Sequence, residues 1–288
     1  MALRTIDLDH VGVGVRDLDA AARTYERLGF TLSPFARHAG AVEPGGPVVA
    51  RATANRCAML KGGYIELIAV VDPNLPSGGL DQRIAAREGI HIVAFGSEDP
   101  VAANAALIEA GFQARGSVYL ERMVDTPEGP RLAKFDRVPV APAEMPEAVI
   151  FHIKHLTRDV LWQLPLLKHA NRAVGLDEVW IHADDLDRAA ARFKRFLGVE
   201  PQREAGARVL ALPRGRCVLL DASGFAERGL TRTPPPAPSV VGIVVGTASV
   251  EEAAGHLEAS GTAFERRGGR LHVAPADACG VALAFASA

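Results

Sequence analysis

The chain has 288 residues, of which 48% are apolar and 23% charged, enough for one large globular domain or two ordinary ones and far from the composition of a disordered chain. Acids and bases are interspersed and the formal net charge is −2, which argues against nucleic acid or anionic lipid as the main partner. No apolar run reaches the ~18 residues of a membrane span, and the three scattered cysteines, Cys57, Cys217 and Cys279, give neither a disulfide framework nor a zinc spacing, so a reducing, cytoplasmic setting is expected.

The N-terminus, MALRTIDLDH, lacks a signal-peptide pattern and runs straight into strand-like alternation. Residues 6–30, IDLDHVGVGVRDLDAAARTYERLGF, read as an apolar strand and then a helix capped by Asp17 and stopped at Gly29. Leu18, Ala21, Ala22, Tyr25 and Leu28 form the helix's apolar face. Strand-like material follows, clearest in NRCAMLKGGYIELIAV. Residues 89–114, GIHIVAFGSEDPVAANAALIEAGFQA, repeat the strand, cap, helix and glycine. Residues 175–199, GLDEVWIHADDLDRAAARFKRFLGV, repeat the first stretch more closely, with Asp185 as cap and Gly198 as stop. Residues 239–264 give a fourth, fainter copy. The unit is one strand, one helix and about three strands, and the A-B-A-B likeness predicts an α+β fold of four βαβββ modules in two paired-module domains. The expected boundaries are residues 1–160 (modules 5–72 and 88–157), a linker 161–176, and residues 177–288 (modules 177–224 and 239–287). Proline- and glycine-rich linkers are expected at 71–82, 138–146 and 229–239.

Asp9-His10-Val11 with Asp17-Leu18-Asp19, Leu28-Gly29-Phe30, Thr53-Ala54-Asn55-Arg56, Tyr64-Ile65-Glu66-Leu67, His155-Leu156-Thr157 with Val160-Leu161-Trp162, and His169-Ala170-Asn171 together resemble the vicinal oxygen chelate superfamily, and within it a glyoxalase-like domain family. Order and spacing carry the resemblance, over residues 6–171. It implies modules curled into a cup around one divalent metal (Fe, Ni, Zn or Mn), not one reaction, since the fold hosts isomerisation, ring cleavage and metal-free drug binding.

Glu66 stands in an apolar strand, where a buried carboxylate has to be paired, protonated or metal-bound. The resemblance implies His10, Glu66 and His91 as metal ligands, a set that can hold two neighbouring oxygens of a substrate. Other readings are a pairing of Glu66 with Arg56 and core roles for the histidines. Where glyoxalases proper have a second Glu, this chain reads AVIFHIKHLTR. Alternation there predicts Phe151 and Ile153 toward the helix and His152 toward the cup, favouring His152 as fourth ligand; the resemblance favours His155, kept for proton transfer or substrate. The resemblance also implies that Asn55 and Arg56 enter the cup and bind substrate, and Tyr119, Arg122 and Trp162 are candidate pocket walls.

Module three has Glu178 in place of His10, His272 is isolated, and module four lacks ligand residues on its first and last strands. The second half is therefore expected to be structural, covering the cup or forming a contact in a possible homodimer. The expected activity is metal-dependent conversion, lyase-, isomerase- or dioxygenase-like, of a small oxygenated substrate; the alternative is a metal-free binding protein of the bleomycin-resistance type.

Overall fold

The computed structural model describes residues 5–228, 230 and 234–288. The start of the chain and part of the expected 229–239 linker lie outside them. The first half comprises β1 (Thr5–Gly14), α1 (Leu18–Arg27), β2 (Ala36–Gly40), β3 (Val49–Met59), β4 (Tyr64–Val70), α2 (Leu80–Ala86), β5 (Gly89–Ser97), α3 (Pro100–Glu109), β6 (Val118–Thr126), β7 (Gly129–Pro139), β8 (Val149–His155) and α4 (Arg158–Leu161). The second half comprises β9 (Ala173–His182), α5 (Leu186–Leu197), β10 (Gln202–Glu204), β11 (Ala207–Ala211), β12 (Arg216–Leu220), α6 (Ala222–Glu227), β13 (Ser239–Thr247), α7 (Val250–Ala259), β14 (Glu265–Arg267), β15 (Arg270–Val273) and β16 (Ala282–Ser287). The fold is α+β, built as four βαβββ modules. β9 begins at Ala173, inside the segment expected as linker.

The helices start where the caps stand. Asp17 Oδ1 accepts from the Ala20 N–H at 2.9 Å, Asp185 Oδ1 from Arg188 N–H at 2.9 Å, and Ser249 Oγ from Glu252 N–H at 3.1 Å.

The two halves close differently. β1-β4-β3-β2-β6-β7-β8-β5 form a closed barrel, whereas β10-β11-β12-β9-β13-β16-β15-β14 form an open sheet. Closure rests on the pairing of β2 with β6 at Ala39↔Glu121 and Gly40↔Leu120. A Cβ on Gly40 would stand 2.5 Å from the Leu120 side chain and 2.8 Å from the Tyr119 carbonyl, so only glycine lets the strands meet. In the second sheet the corresponding edges, β10 and β14, are three residues each and do not pair with each other.

Outward-facing strand residues of the barrel (Val11, Val13, Val93, Phe95) and of the second sheet (Val179, Ile181, Ile243, Val245) share one core with the helix faces. Each such buried side chain contributes roughly 1.5–3 kcal/mol. Helices interlock between the sheets: His256 Nε2 on α7 donates to the Arg27 carbonyl of α1, and Phe112, just beyond α3, meets Phe196 of α5 edge-on at 5.7 Å. His169 and Asn171 lock the segment between halves. The Thr31 N–H donates to His169 Nδ1, His169 Nε2 donates to the Met59 carbonyl, and Asn171 Nδ2 donates to the Leu28 carbonyl. No helix of the described residues is long and apolar enough to cross a membrane.

Candidate active site in the first barrel

The barrel encloses a cavity of about 160 Å³ lined by His10, His38, Glu66, Arg122 and aromatic walls that include Tyr64, Phe135 and Phe151. Every lining residue comes from the first half. The second half packs on the barrel's outer wall, so the expectation that it covers the cup is not met.

His10 projects inward from β1, and its surroundings follow from a β-bulge. In the β1–β5 ladder Leu8 pairs with Phe95 and His10 with Ala94, leaving Asp9 as the extra residue. The bulge brings the Asp9 carboxylate beside His10, with Oδ1 2.7 Å from His10 Nδ1. Both Asp9 oxygens also lie 3.0 Å from His155 Nε2. Burial alone would raise the Asp9 carboxyl, but His155 and His10 hold it well below the usual carboxylate range. His10 thus gives its Nδ1–H to Asp9 and keeps Nε2 for the cavity it lines. Its ring stacks on Tyr64 at 4.3 Å. His155 is wedged on the barrel floor against Phe135 and Trp162, at 5.3 and 4.9 Å.

Glu66 is the buried carboxylate of β4, 5% exposed. Asn55 Nδ2 donates to its Oε1 at 2.5 Å, and His38 Nε2 lies 3.4 Å from the same oxygen. Burial opposes ionisation, but the His38 hydrogen bond and the nearby His38, His10 and Arg122 charges win, lowering Glu66 to about 2. His38 is itself fixed by a 2.8 Å hydrogen bond between Nδ1 and Thr53 Oγ1. Arg122 is 6% exposed, lies over the Phe135 ring at 5.1 Å and reaches Cys57 Sγ at 3.6 Å.

Three sequence expectations are corrected. His91 does not enter the cup. A second irregularity in the β1–β5 ladder skips it, Gly12 pairing with Ile92 and Val13 with Ile90, so Ile92 takes the cup face. His91 Nε2 donates to the Arg87 carbonyl at 2.9 Å, and burial pushes it down to about 4. His152 also turns away: Phe151 and Ile153 line the cavity, while His152 stacks on Phe196 at 4.6 Å and donates Nε2–H to its carbonyl at 3.1 Å. Both faces of β8 are buried, one in the barrel and one under α5, so apolar alternation carries no direction there. Arg56 faces α1, its Nη2 3.7 Å from Asp19 Oδ1; the partner of Glu66 is Asn55, with His38 beside it.

Of the expected pocket walls, Arg122 lines the cavity. Trp162 supports the floor, donating Nε1–H to the Leu60 carbonyl, and Tyr119 gives its hydroxyl to Glu121. His38, Arg51 and Arg137 were not singled out from sequence. Arg51, Thr53 and Asn55 alternate with Ala52 and Ala54 on β3, a period-2 signal that an inward polar face could have supplied. For His38, on the short β2, no such signal exists.

A family model described as a glyoxalase-like domain matches residues 8–197. The chain belongs to the glyoxalase-like domain family. Solved structures of similar fold are vicinal oxygen chelate proteins. A hypothetical protein from Staphylococcus aureus aligns over 98% of this chain and 99% of its own, with 11% identity and a TM-score of 0.64. A mutant 4-hydroxymandelate synthase from Streptomyces coelicolor aligns over 99% and 92%, with 14% identity and a TM-score of 0.59. An extradiol ring-cleaving dioxygenase from B. fuscum aligns over 100% and 73%, with 14% identity and a TM-score of 0.56. At such identities the likeness shows the fold. No curated protein matches the chain in sequence.

The family resemblance implies a metal held by both modules, and the residues do not fit that arrangement. Module one presents His10 and Glu66 with His38 beside them, but on its first and last strands, where the family's ligands are expected, module two presents Ile92, Phe151 and Ile153; its Glu121 also lines the cup and accepts the Tyr119 hydroxyl at 2.7 Å. Two imidazoles and a carboxylate are chemically apt for a divalent cation. Yet among the described residues no three His, Cys, Asp or Glu side chains are grouped so that they could hold an ion.

Proposed function

We propose that the first barrel is the active site of a glyoxalase-type enzyme that moves a proton on a small oxygenated organic substrate, with His10 as general base. The observation that carries this reading is the bulge-borne Asp9, which accepts the Nδ1–H of a His10 that lines an aromatic-walled cavity. A carboxylate at Nδ1 fixes the tautomer with a basic Nε2 and stabilises the imidazolium formed when Nε2 takes a proton. Glu66, ionised and held by Asn55, accepts a substrate hydroxyl; Arg122 donates to an oxygen that gains negative charge. The proton taken at Nε2 returns to a neighbouring substrate atom for an isomerisation, or to a leaving group for a lyase reaction. His155, bonded to the far side of Asp9, is a positioning residue that keeps the carboxylate ionised.

The reading is tested by solvent exchange, which reports proton transfer whatever the final product. The protein is incubated in D2O with small 2-oxo and 2-hydroxy acids and aldehyde adducts, and deuterium incorporation is followed by NMR. Exchange with the native chain that disappears in His10→Gln is the expected result; no exchange, or exchange unchanged in the variant, refutes it. Metal content and titration with Fe(II), Mn(II), Ni(II) and Zn(II) run alongside. One ion per chain, lost in a His10→Ala, Glu66→Ala double variant, would restore the metal-dependent reading, dioxygenase chemistry included.

The apolar side chains that the first and last strands of module two present, Ile92, Phe151 and Ile153, favour a second reading, metal-free sequestration of an organic ligand. Binding without exchange would select it.

A further inference from the structure

We infer that the mouth of the first barrel is a carboxylate site, built from Arg51 and Arg137, and that the ligand is a small aromatic or similarly flat monocarboxylic acid lying between that site and His10. The inference rests on the barrel being the ligand-binding cup of the proposed function.

Two cations stand at this site without counter-ions. Arg51 on β3 and Arg137 on β7 both line the cavity, and neither makes an ion pair or side-chain hydrogen bond among the described residues. Arg51 Nη1 and Arg137 Nε are buried with no partner at all. A buried guanidinium nitrogen without an acceptor is unfavourable, and the two positive charges repel one another. Burial, with the charge of Arg51 added, lowers Arg137 to about 10. Nothing in the fold explains keeping two such groups side by side. An anion entering the cup would supply the missing acceptors, and the planar, forked guanidinium matches a carboxylate.

The rest of the lining says how large a charge and what body the anion carries. Histidines aside, the lining sets Arg51, Arg122 and Arg137 against Glu66 and Glu121, and three guanidiniums against two carboxylates leave one positive charge. That balance suits a monocarboxylate better than a phosphate dianion. The Arg137 guanidinium lies 5.7 Å above the Phe151 ring and that of Arg122 5.1 Å above the Phe135 ring. Those two rings line the space between the arginines and the His10–Tyr64 stack, which suits a flat apolar body. Arg56, the sequence candidate for this role, is on the far side of β3; the role passes to Arg51, whose side chain shares the inward face with Thr53 and Asn55.

The test uses the full-length chain with benzoate as probe, benzamide as its uncharged counterpart and inorganic phosphate as an alternative anion, read by thermal shift and by NMR titration. Benzoate is expected to raise Tm and bind at least tenfold more tightly than benzamide, with phosphate weaker than benzoate. Arg51→Met and Arg137→Met should each weaken benzoate tenfold or more while leaving benzamide unchanged. His10→Gln should still bind benzoate, and a native chain that binds benzoate but shows no exchange faults the proton-transfer reading and not this site. Equal binding of benzoate and benzamide, or benzoate affinity unchanged in both arginine variants, overturns the proposal. Tighter binding of phosphate than of benzoate overturns the monocarboxylate assignment.

Discussion

His152 offers a test that needs no substrate. Its ring is fully buried, stacked on Phe196, with Nε2 on the Phe196 carbonyl and Nδ1 without a partner. Burial pushes it from 6.5 down to about 4. A group whose folded pKa lies below its unfolded value takes up its proton first in the unfolded chain. Stability is therefore intact above about pH 6.5 and falls as pH drops toward 4. At 1.36 kcal/mol per unit, the unfolded state gains about 2 kcal/mol from this one histidine between pH 7 and pH 5. Asp9 and Glu66 are both lowered, so their contributions fade only as pH falls below the unfolded carboxylate range of roughly 4, outside that window. The assay is urea unfolding of the native chain and His152→Phe at pH 7, 6 and 5; phenylalanine keeps the stacked ring and has no titrating group. The native chain should lose about 2 kcal/mol more than the variant across the window. All other titrating groups are common to both and cancel in the difference. Superimposable pH dependences would show that His152 is not a buried neutral imidazole, and its placement under α5 would fail with it.

Three further outcomes are expected. Asp9→Asn leaves the fold intact but costs roughly 10²–10⁴-fold in the proton exchange assigned to His10, and moves the imidazole NMR signals of both His10 and His155. Gly12→Val drives a side chain into Ile92, whose Cβ would be 2.8 Å from the new Cβ; a loss of about 1–3 kcal/mol by urea unfolding and weakened probe binding are expected. Gly40→Val opens the β2–β6 seam, read as faster amide exchange of β2 and β6 against unchanged protection of β9 and β13.

The modules and helix caps were legible because both are local patterns: Asp17 and Asp185 cap, and the helix faces bury, as their spacing says. His10 and Glu66 line the cup, and Asn55 stands beside Glu66 on β3, because β3 and β4 pair in unbroken register and the bulge in β1 falls before His10. His91 and His152 failed for different reasons. A bulge shifts the phase of alternation by one residue, and sequence shows no sign of it in GIHIVAFG. A strand buried on both faces has no amphipathic direction to read, which is the case for β8. His38 and Arg137 were invisible because their meaning depends on β2 and β7 curling round to close the barrel, a long-range event no window of sequence records.

The two halves are the clearest argument that the cup is kept for a purpose. They share a bulge: Asp9 precedes His10 in the first, and Asp177 precedes Glu178 in the second, each skipped in its ladder. They differ two residues further on. Gly12 stands where the second half has Trp180, which is fully buried and gives its Nε1–H to Glu178 at 2.7 Å. Glu178 is further tied by Arg216 and by Arg270, 2.8 Å away for the latter. In one copy, then, the indole and an ion-pair cluster satisfy the buried carboxylate from within the chain, beside a groove of about 350 Å³ that Glu178, Arg216 and Arg270 line. In the other, Gly12 leaves room for Ile92 to pack against the strand, and buried nitrogens of two arginines that line the cup are left without partners. The same scaffold shows that such groups can be neutralised internally. Leaving them unpaired around an open cavity is unfavourable for the free chain, and the deficit is one that a bound anion removes.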